Sequence, residues 1–253
     1  MKPELEAKNL YQSFGQKQVL DSVGVSLSKG ELVCVLGVSG VGKTTLFHIL
    51  SGLLRPDRGS VEFRGQEITG KPGKISYMLQ KDLLLPYKKV GENAAMPLIL
   101  KGMSKKNALS HIHPLFEEFG IENTQELYPH ELSGGMRQRA ALLRTYVASE
   151  GVALLDEPFS ALDTITKGKI HSWFLDIMEK IDLSVLFITH DIDEAVLLSD
   201  RIYILGGSPG RVVKEIEICE SKPRRSDFNL TGHFLEYKKE IVSALASTPD
   251  LGI

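Results

Sequence analysis

Apolar runs bounded by turn formers recur along the whole chain, at positions 32–36, 75–79, 152–155, 184–189 and 202–205. Runs this short, with little polar alternation, predict strands buried on both faces. Between them lie stretches whose apolar positions fall three and four apart, at 44–51, 105–119, 136–149, 165–180 and 192–198, and these predict helices. Strands followed by helices predict an α/β fold around a mostly parallel sheet.

Two regions break the alternation. Residues 4–27 carry β-rich pieces with Val19, Val23, Val25 and Leu27, which predict a small antiparallel layer ahead of the main sheet. From about 85 to 149 the strand signal nearly vanishes, and the expectation there is an inserted helical subdomain. A basic stretch, Lys222-Pro223-Arg224-Arg225, reads as a solvated linker, followed by an amphipathic helix through Phe234, Tyr237, Ile241 and Leu245. The expected division is therefore a domain over 1–221 and a linker with a helix over 222–253.

Composition narrows the classes of function. The chain has 253 residues, and 30 Lys+Arg against 32 Asp+Glu leave a net charge of −2, which disfavours nucleic-acid binding by bulk charge. No run of 18 apolar residues is present to span a bilayer. The start, Met1-Lys2-Pro3-Glu4-Leu5-Glu6, lacks the apolar segment of a secretion signal, so a cytosolic location is expected. In that compartment Cys34 and Cys219 read as inert buried thiols, and His111 and His113 as surface residues.

Chemistry first becomes specific at Gly37-Val38-Ser39-Gly40-Val41-Gly42-Lys43-Thr44-Thr45, a P-loop pattern set between an expected strand and an expected helix. The glycines let the loop wrap with its N–H groups inward, the helix presents its positive end, and Lys43 can reach the terminal phosphates of a nucleotide. Thr44 offers a hydroxyl to Mg²⁺, a hard cation that favours oxygen. Further on, Val152-Ala153-Leu154-Leu155-Asp156-Glu157-Pro158 is an apolar strand ending in two acids. Beside the P-loop strand its carboxyl end would face the nucleotide, with Asp156 holding the metal through a water or through Thr44 and Glu157 polarising an attacking water. His190 closes another apolar strand at the same edge, where its imidazole could contact a γ-phosphate.

Just before the acidic strand stands Leu132-Ser133-Gly134-Gly135-Met136-Arg137-Gln138. Ser133, Gly134 and Gly135 ahead of a helix form a second candidate anion site, with hydroxyl and N–H donors at a positive helix end. With the P-loop, the acid pair and His190 in this order, the chain resembles the nucleotide-binding subunits of ABC transporters from about residue 5 to 213. The resemblance implies a P-loop NTPase core of the ABC ATPase type, with ATP and Mg²⁺ as its ligands. It implies that Gln80 joins the metal shell and senses a transmembrane partner, that Ser160-Ala161-Leu162-Asp163 is the D-loop, and that Phe14 stacks on adenine, with Tyr11 as the alternative stacker.

In that family two subunits sandwich two ATP molecules head to tail, so that Ser133 of one copy meets the nucleotide held by the other. Lys43, Mg²⁺, His190 and the opposing Ser133 would then surround the γ-phosphate while Glu157 orients water. The implied partners are a second ATPase subunit, a separate permease docking near 81–87 and 128–131, and a solute-binding protein reached through that permease, with no nucleic acid. The implied location is the cytoplasmic face of the membrane. Met136, Leu84-Leu85-Pro86-Tyr87 and the 222–228 tail are similar to the nitrate, sulfonate and taurine importer group. The expected solute is a small anion, with a thiamine-precursor-like solute or a non-transport ABC ATPase as alternatives.

Overall fold

The computed structural model describes residues 2–160, 164–220, 222, 224 and 227–247, with only the backbone of 164 and 165. The D-loop residues Ala161, Leu162 and Asp163 lie outside the described residues, as do Pro223 and Arg225.

The strands are β1 (Leu5–Phe14), β2 (Lys17–Leu27), β3 (Leu32–Gly37), β4 (Arg58–Phe63), β5 (Gln66–Glu67), β6 (Ser76–Met78), β7 (Val152–Asp156), β8 (Ser184–Thr189), β9 (Arg201–Gly206) and β10 (Arg211–Glu217). Six of them form the main sheet in the order β10-β9-β3-β8-β7-β6, parallel except where β10 joins β9. Each residue of β3, β7 and β8 is buried, as expected for strands covered on both faces. Alternate residues serve two cores. Cys34, Leu36, Ala153, Leu155, Val185 and Phe187 pack with the helical side of the molecule. Val33, Val35, Val152, Leu154, Leu186 and Ile188 pack with the antiparallel layer and the first helix.

Register sets the site. Leu36 pairs with Thr189, Ile188 with Asp156 and Leu155 with Met78, so these strands end along one edge. A parallel sheet offers its ligand crevice at that carboxyl edge.

The antiparallel layer is larger than the sequence pattern suggests, running β2-β1-β4-β5. Its second half is a tight hairpin in which Arg64 and Gly65 have φ of 50° and 78°, the positive pair that two-residue hairpins require. The polar, two-residue β5 carries no periodic signal to reveal it. β10 was likewise silent, because it is an edge strand with mostly exposed, charged residues.

The helices are α1 (Lys43–Leu50), α2 (Val90–Leu100), α3 (Lys105–Ile112), α4 (Leu115–Glu118), α5 (Gly134–Ala148), α6 (Thr164–Lys180), α7 (Ile192–Leu198) and α8 (Gly232–Ala246). The single helix expected over 105–119 is two, α3 and α4, separated at His113 and Pro114, where proline cannot donate to the preceding turn. Pro97 lies inside α2 and obscures its helical pattern in the sequence. His111 and His113 are exposed. No helix among the described residues is long and apolar enough to cross a membrane.

Two expectations about the C-terminal part are overturned. Arg224 is not solvated: it is 8% exposed, and its guanidinium donates to the carbonyls of Val196 (3.1 Å), Leu197 and Ser199 at the end of α7. These are carbonyls that a helix terminus leaves unpaired. Cys219 is exposed rather than buried, since it follows the edge strand β10; Cys34 is buried in β3. Beyond Arg224, Phe228, Phe234 and Ile241 join the same core as Phe187. Arg224→Met keeps the aliphatic stem but leaves those carbonyls without their donor. We expect a loss of about 2 kcal/mol, read as a lower urea midpoint at unchanged slope.

Candidate functional site

The loop after β3 turns into α1 through Gly42, whose φ of 108° is left-handed. A Cβ there would also crowd Leu20 Cδ2 at 2.7 Å, a side-chain end that could shift, so it is the left-handed backbone that favours glycine. The turn leaves the first N–H groups of α1 without intrahelical acceptors, and Lys43, Thr44 and Thr45, which carry them, line the cavity beside the loop. Lys43 is the first residue of α1, and its ammonium donates to the carbonyls of Gly37 at 2.7 Å and Val38 at 3.0 Å. Burial pulls the Lys43 pKa down, and the nearby Glu157 and Asp156 carboxylates oppose that shift. The lysine is thus held across the loop mouth.

An open cavity of about 670 Å³ extends from this loop. It is lined by Ser39, Gly40, Gly42, Lys43, Thr44 and Thr45 of the loop and α1, by Gln80, Glu157 and His190, and by Phe14, Lys17 and Val19 from the first two strands. Gly37 lies at the end of β3, beneath the loop. Phe14 is 53% exposed at the end of β1, an accessible ring on the cavity wall. Tyr11, the other candidate stacker, is not among the lining residues. Lys17, just past the turn after β1, is a cavity cation that the sequence pattern did not flag.

The two acids at the end of β7 diverge. Asp156 stays in the strand, is buried, and its Oδ2 accepts from Thr44 Oγ1 at 3.3 Å and Tyr77 Oη at 3.0 Å. Burial raises the Asp156 pKa, while those two hydroxyl donors work to lower it. At Glu157 the backbone enters the left-handed region, with φ of 47°, although its N–H still donates to Ile188 O at 3.0 Å. A non-glycine residue there is strained, and here the turn throws the second carboxylate away from the first. Glu157 Oε2 accepts from Gln80 Nε2 at 3.0 Å, and its Oε1 lies 3.1 Å from His190 Nδ1. Three side chains proposed from widely separated motifs therefore meet at one carboxylate.

Supporting contacts come from residues that no motif marked. Glu194 in α7 is buried, and Thr189 Oγ1 donates to its Oε2 at 2.6 Å. Asp191 N donates to the same Thr189 hydroxyl at 3.0 Å, which ties down the turn carrying His190. Burial works to raise the Glu194 pKa, but His171, Lys167 and Thr189 around the carboxylate bring it down to about 2. The segment after Gln80 is clamped from α5: Arg144 donates to the carbonyls of Asp82 and Leu83. The contacts of Glu194 with Lys167 and His171, and of Arg144 with Asp82 and Leu83, join positions far apart in the chain, so spacing along the sequence could not reveal them.

Ser133 sits apart from the cavity. It caps α5, its hydroxyl accepting from Met136 N at 3.3 Å, and Gly134 and Gly135 form the first turn. The helix begins two residues earlier than the periodicity suggests, because the glycines are inside it. None of Ser133, Gly134 and Gly135 is among the residues lining this chain's own cavity. Of the surface expected to meet a permease, Tyr87 is 72% exposed and Leu83 and Tyr128 are also exposed, whereas Leu84 is core.

A glycine-rich cradle with a lysine across its mouth, at the carboxyl edge of a parallel sheet and beside a strand ending in two acids, defines a P-loop nucleotide hydrolase. Residues 20–160 match the family described as ABC transporter. The chain is 42% identical over 209 residues to the formylaminopyrimidine import ATP-binding protein of Halalkalibacterium halodurans, covering 83% of this chain and 82% of that one. It is 36% identical over 237 residues to the nitrate import ATP-binding protein of Synechocystis sp., covering 91% and 89%. A solved dimeric ATP-binding cassette, in a post-hydrolysis state bound to ADP and Pi, matches with a TM-score of 0.71 and 28% identity over 85% of this chain and 98% of that one. The chain belongs to the ABC transporter family, as an ATP-binding, ATP-hydrolysing cassette.

Proposed function

We propose that the chain is the ATPase subunit of an importer, and that two copies close on two ATP molecules to drive a separate permease at the cytoplasmic face of a membrane. Ser133, Gly134 and Gly135 form a donor-bearing helix start that does not line its own chain's cavity, which supports their serving a nucleotide held by the partner. Such an arrangement is self-complementary about a two-fold axis.

The observation that carries the hydrolytic reading is the convergence of Gln80 and His190 on Glu157 at the rim of the cavity. In this reading Lys43 and the N–H groups of the loop bind the β- and γ-phosphates, Phe14 stacks on the base, and His190 and the Ser133-Gly134-Gly135 turn of the second copy hold the γ-phosphate. Glu157 accepts a proton from the attacking water, with its carboxylate oriented by Gln80 and His190. The donor set of Thr44 Oγ1, the Asp156 carboxylate and the Gln80 side-chain oxygen is all hard oxygen and fits Mg²⁺. Magnesium, when bound there, supplies charge neutralisation of the phosphate oxygens. Cleavage removes the γ-phosphate contacts that join the copies, and the pair reopens.

The exposed Leu83, Tyr87 and Tyr128 offer a docking surface for the permease, and a solute-binding protein would act through that permease. The solute touches other chains, so its class rests on similarity: a small anion or a thiamine-precursor-like molecule. The 42% identity to the formylaminopyrimidine import protein, against 36% to the nitrate one, favours the second.

Mixing variants tests the shared site. Ser133→Arg and Lys43→Ala homodimers should each be inactive, whereas an equimolar mixture should recover about a quarter of wild-type phosphate release, because half the pairs are mixed and each has one intact composite site. No recovery would remove the sharing between copies.

A further inference from the structure

We propose that Tyr77 is a positioning residue for magnesium, holding Asp156 in the orientation that leaves one carboxylate oxygen open to the cation. This rests on the reading above in which Asp156 helps to hold Mg²⁺.

Tyr77 lies in the three-residue edge strand β6, paired with Leu154 of β7, three residues before Gln80. Its ring is gripped by α1. Phe47 meets it edge-on with centroids 5.9 Å apart and planes at 74°, and His48 does so at 5.9 Å and 68°. Such contacts fix the plane of the ring and the direction of its hydroxyl. That hydroxyl donates to Asp156 Oδ2 at 3.0 Å, the oxygen that also accepts from Thr44 Oγ1 at 3.3 Å. Among the described residues Oδ1 takes no hydrogen bond. Two donors on one oxygen lock the carboxylate against rotation, and the other oxygen is left for a cation.

The lever is geometric. Magnesium demands near-ideal octahedral placement of its ligands, and a carboxylate free to turn satisfies that demand only part of the time. Partners behind metal ligands are commonly worth 10- to 100-fold in metal affinity for this reason. Because α1 carries Lys43, Thr44 and the two rings that grip Tyr77, the phosphate cradle and the acid are set by one helix. The hydroxyl is the only part of Tyr77 that a phenylalanine lacks, so it can be removed with the ring packing kept.

The test uses the full chain and trinitrophenyl-ATP fluorescence, titrated with Mg²⁺ and, separately, in EDTA. Tyr77→Phe should leave nucleotide affinity in EDTA unchanged and raise the Mg²⁺ concentration for half-maximal enhancement about tenfold. Asp156→Asn should shift the same midpoint, and adding Tyr77→Phe to it should shift it no further, since the hydroxyl acts through the carboxylate. A wild-type midpoint in Tyr77→Phe beside a shifted one in Asp156→Asn would overturn the role of Tyr77 alone, whatever happens to its melting temperature. A full further shift in the double variant would overturn it too. An unshifted midpoint in Asp156→Asn would overturn the metal assignment beneath it.

Discussion

Glu157→Gln should bind ATP as the parent does, lose phosphate release by about 1000-fold, and run as a dimer on a sizing column when ATP is present. Glutamine keeps the size of the side chain and its tolerance of the left-handed backbone at φ 47°, so the turn that separates residues 156 and 157 should survive. The amide oxygen can still accept from Gln80 Nε2, as Glu157 Oε2 does at 3.0 Å, while an NH2 donor replaces the Oε1 that lies 3.1 Å from His190 Nδ1. What disappears is the negative charge and the capacity to take a proton from water. Binding is spared because the cradle of Gly40, Gly42, Lys43, Thr44 and Thr45 is untouched. With cleavage blocked, the γ-phosphate stays and so do the contacts it makes across the pair. Phosphate release at the parent rate would take Glu157 out of the mechanism, and a monomer in ATP would break the link between retention and closure.

Lys43→Ala should act earlier, on binding itself. The Lys43 ammonium is already held over the loop by the carbonyls of Gly37 and Val38, so little order has to be created when a triphosphate arrives. Charge-assisted hydrogen bonds to phosphate are among the strongest available to a protein, and their loss in a partly buried site should cost about 3 kcal/mol, or roughly 100-fold in ATP affinity. Calorimetric titration of ATP reads the effect directly. An unaltered affinity would contradict the cradle.

These two residues were legible in the sequence because each belongs to a short motif whose chemistry is local. A lysine after glycine at a helix start, or two acids after an apolar strand, implies its role from neighbours within a few positions. The central strands were legible for a related reason: β3, β7 and β8 are buried throughout, so they read as continuous apolar runs close to their observed ends. The pattern failed where burial is one-sided or a break intervenes, as at the exposed edge strand β10, the two-residue β5, and the proline that divides α3 from α4. Arg224 misled in the opposite sense. A charged, proline-containing stretch resembles a linker, yet its guanidinium is buried against the end of α7, where unpaired carbonyls compensate for its loss of water.

From the chain alone came the P-loop, the acid pair, the Ser133-Gly134-Gly135 turn and the alternation of strand and helix, since each depends on residues close together in sequence. Only the tertiary structure decided that Gln80 and His190 meet on Glu157, that Tyr77 stands behind Asp156, and that Ser133 does not line its own cavity. Contacts of that kind depend on strand register and on a single left-handed residue at Glu157, and neither leaves a periodic mark in the order of amino acids.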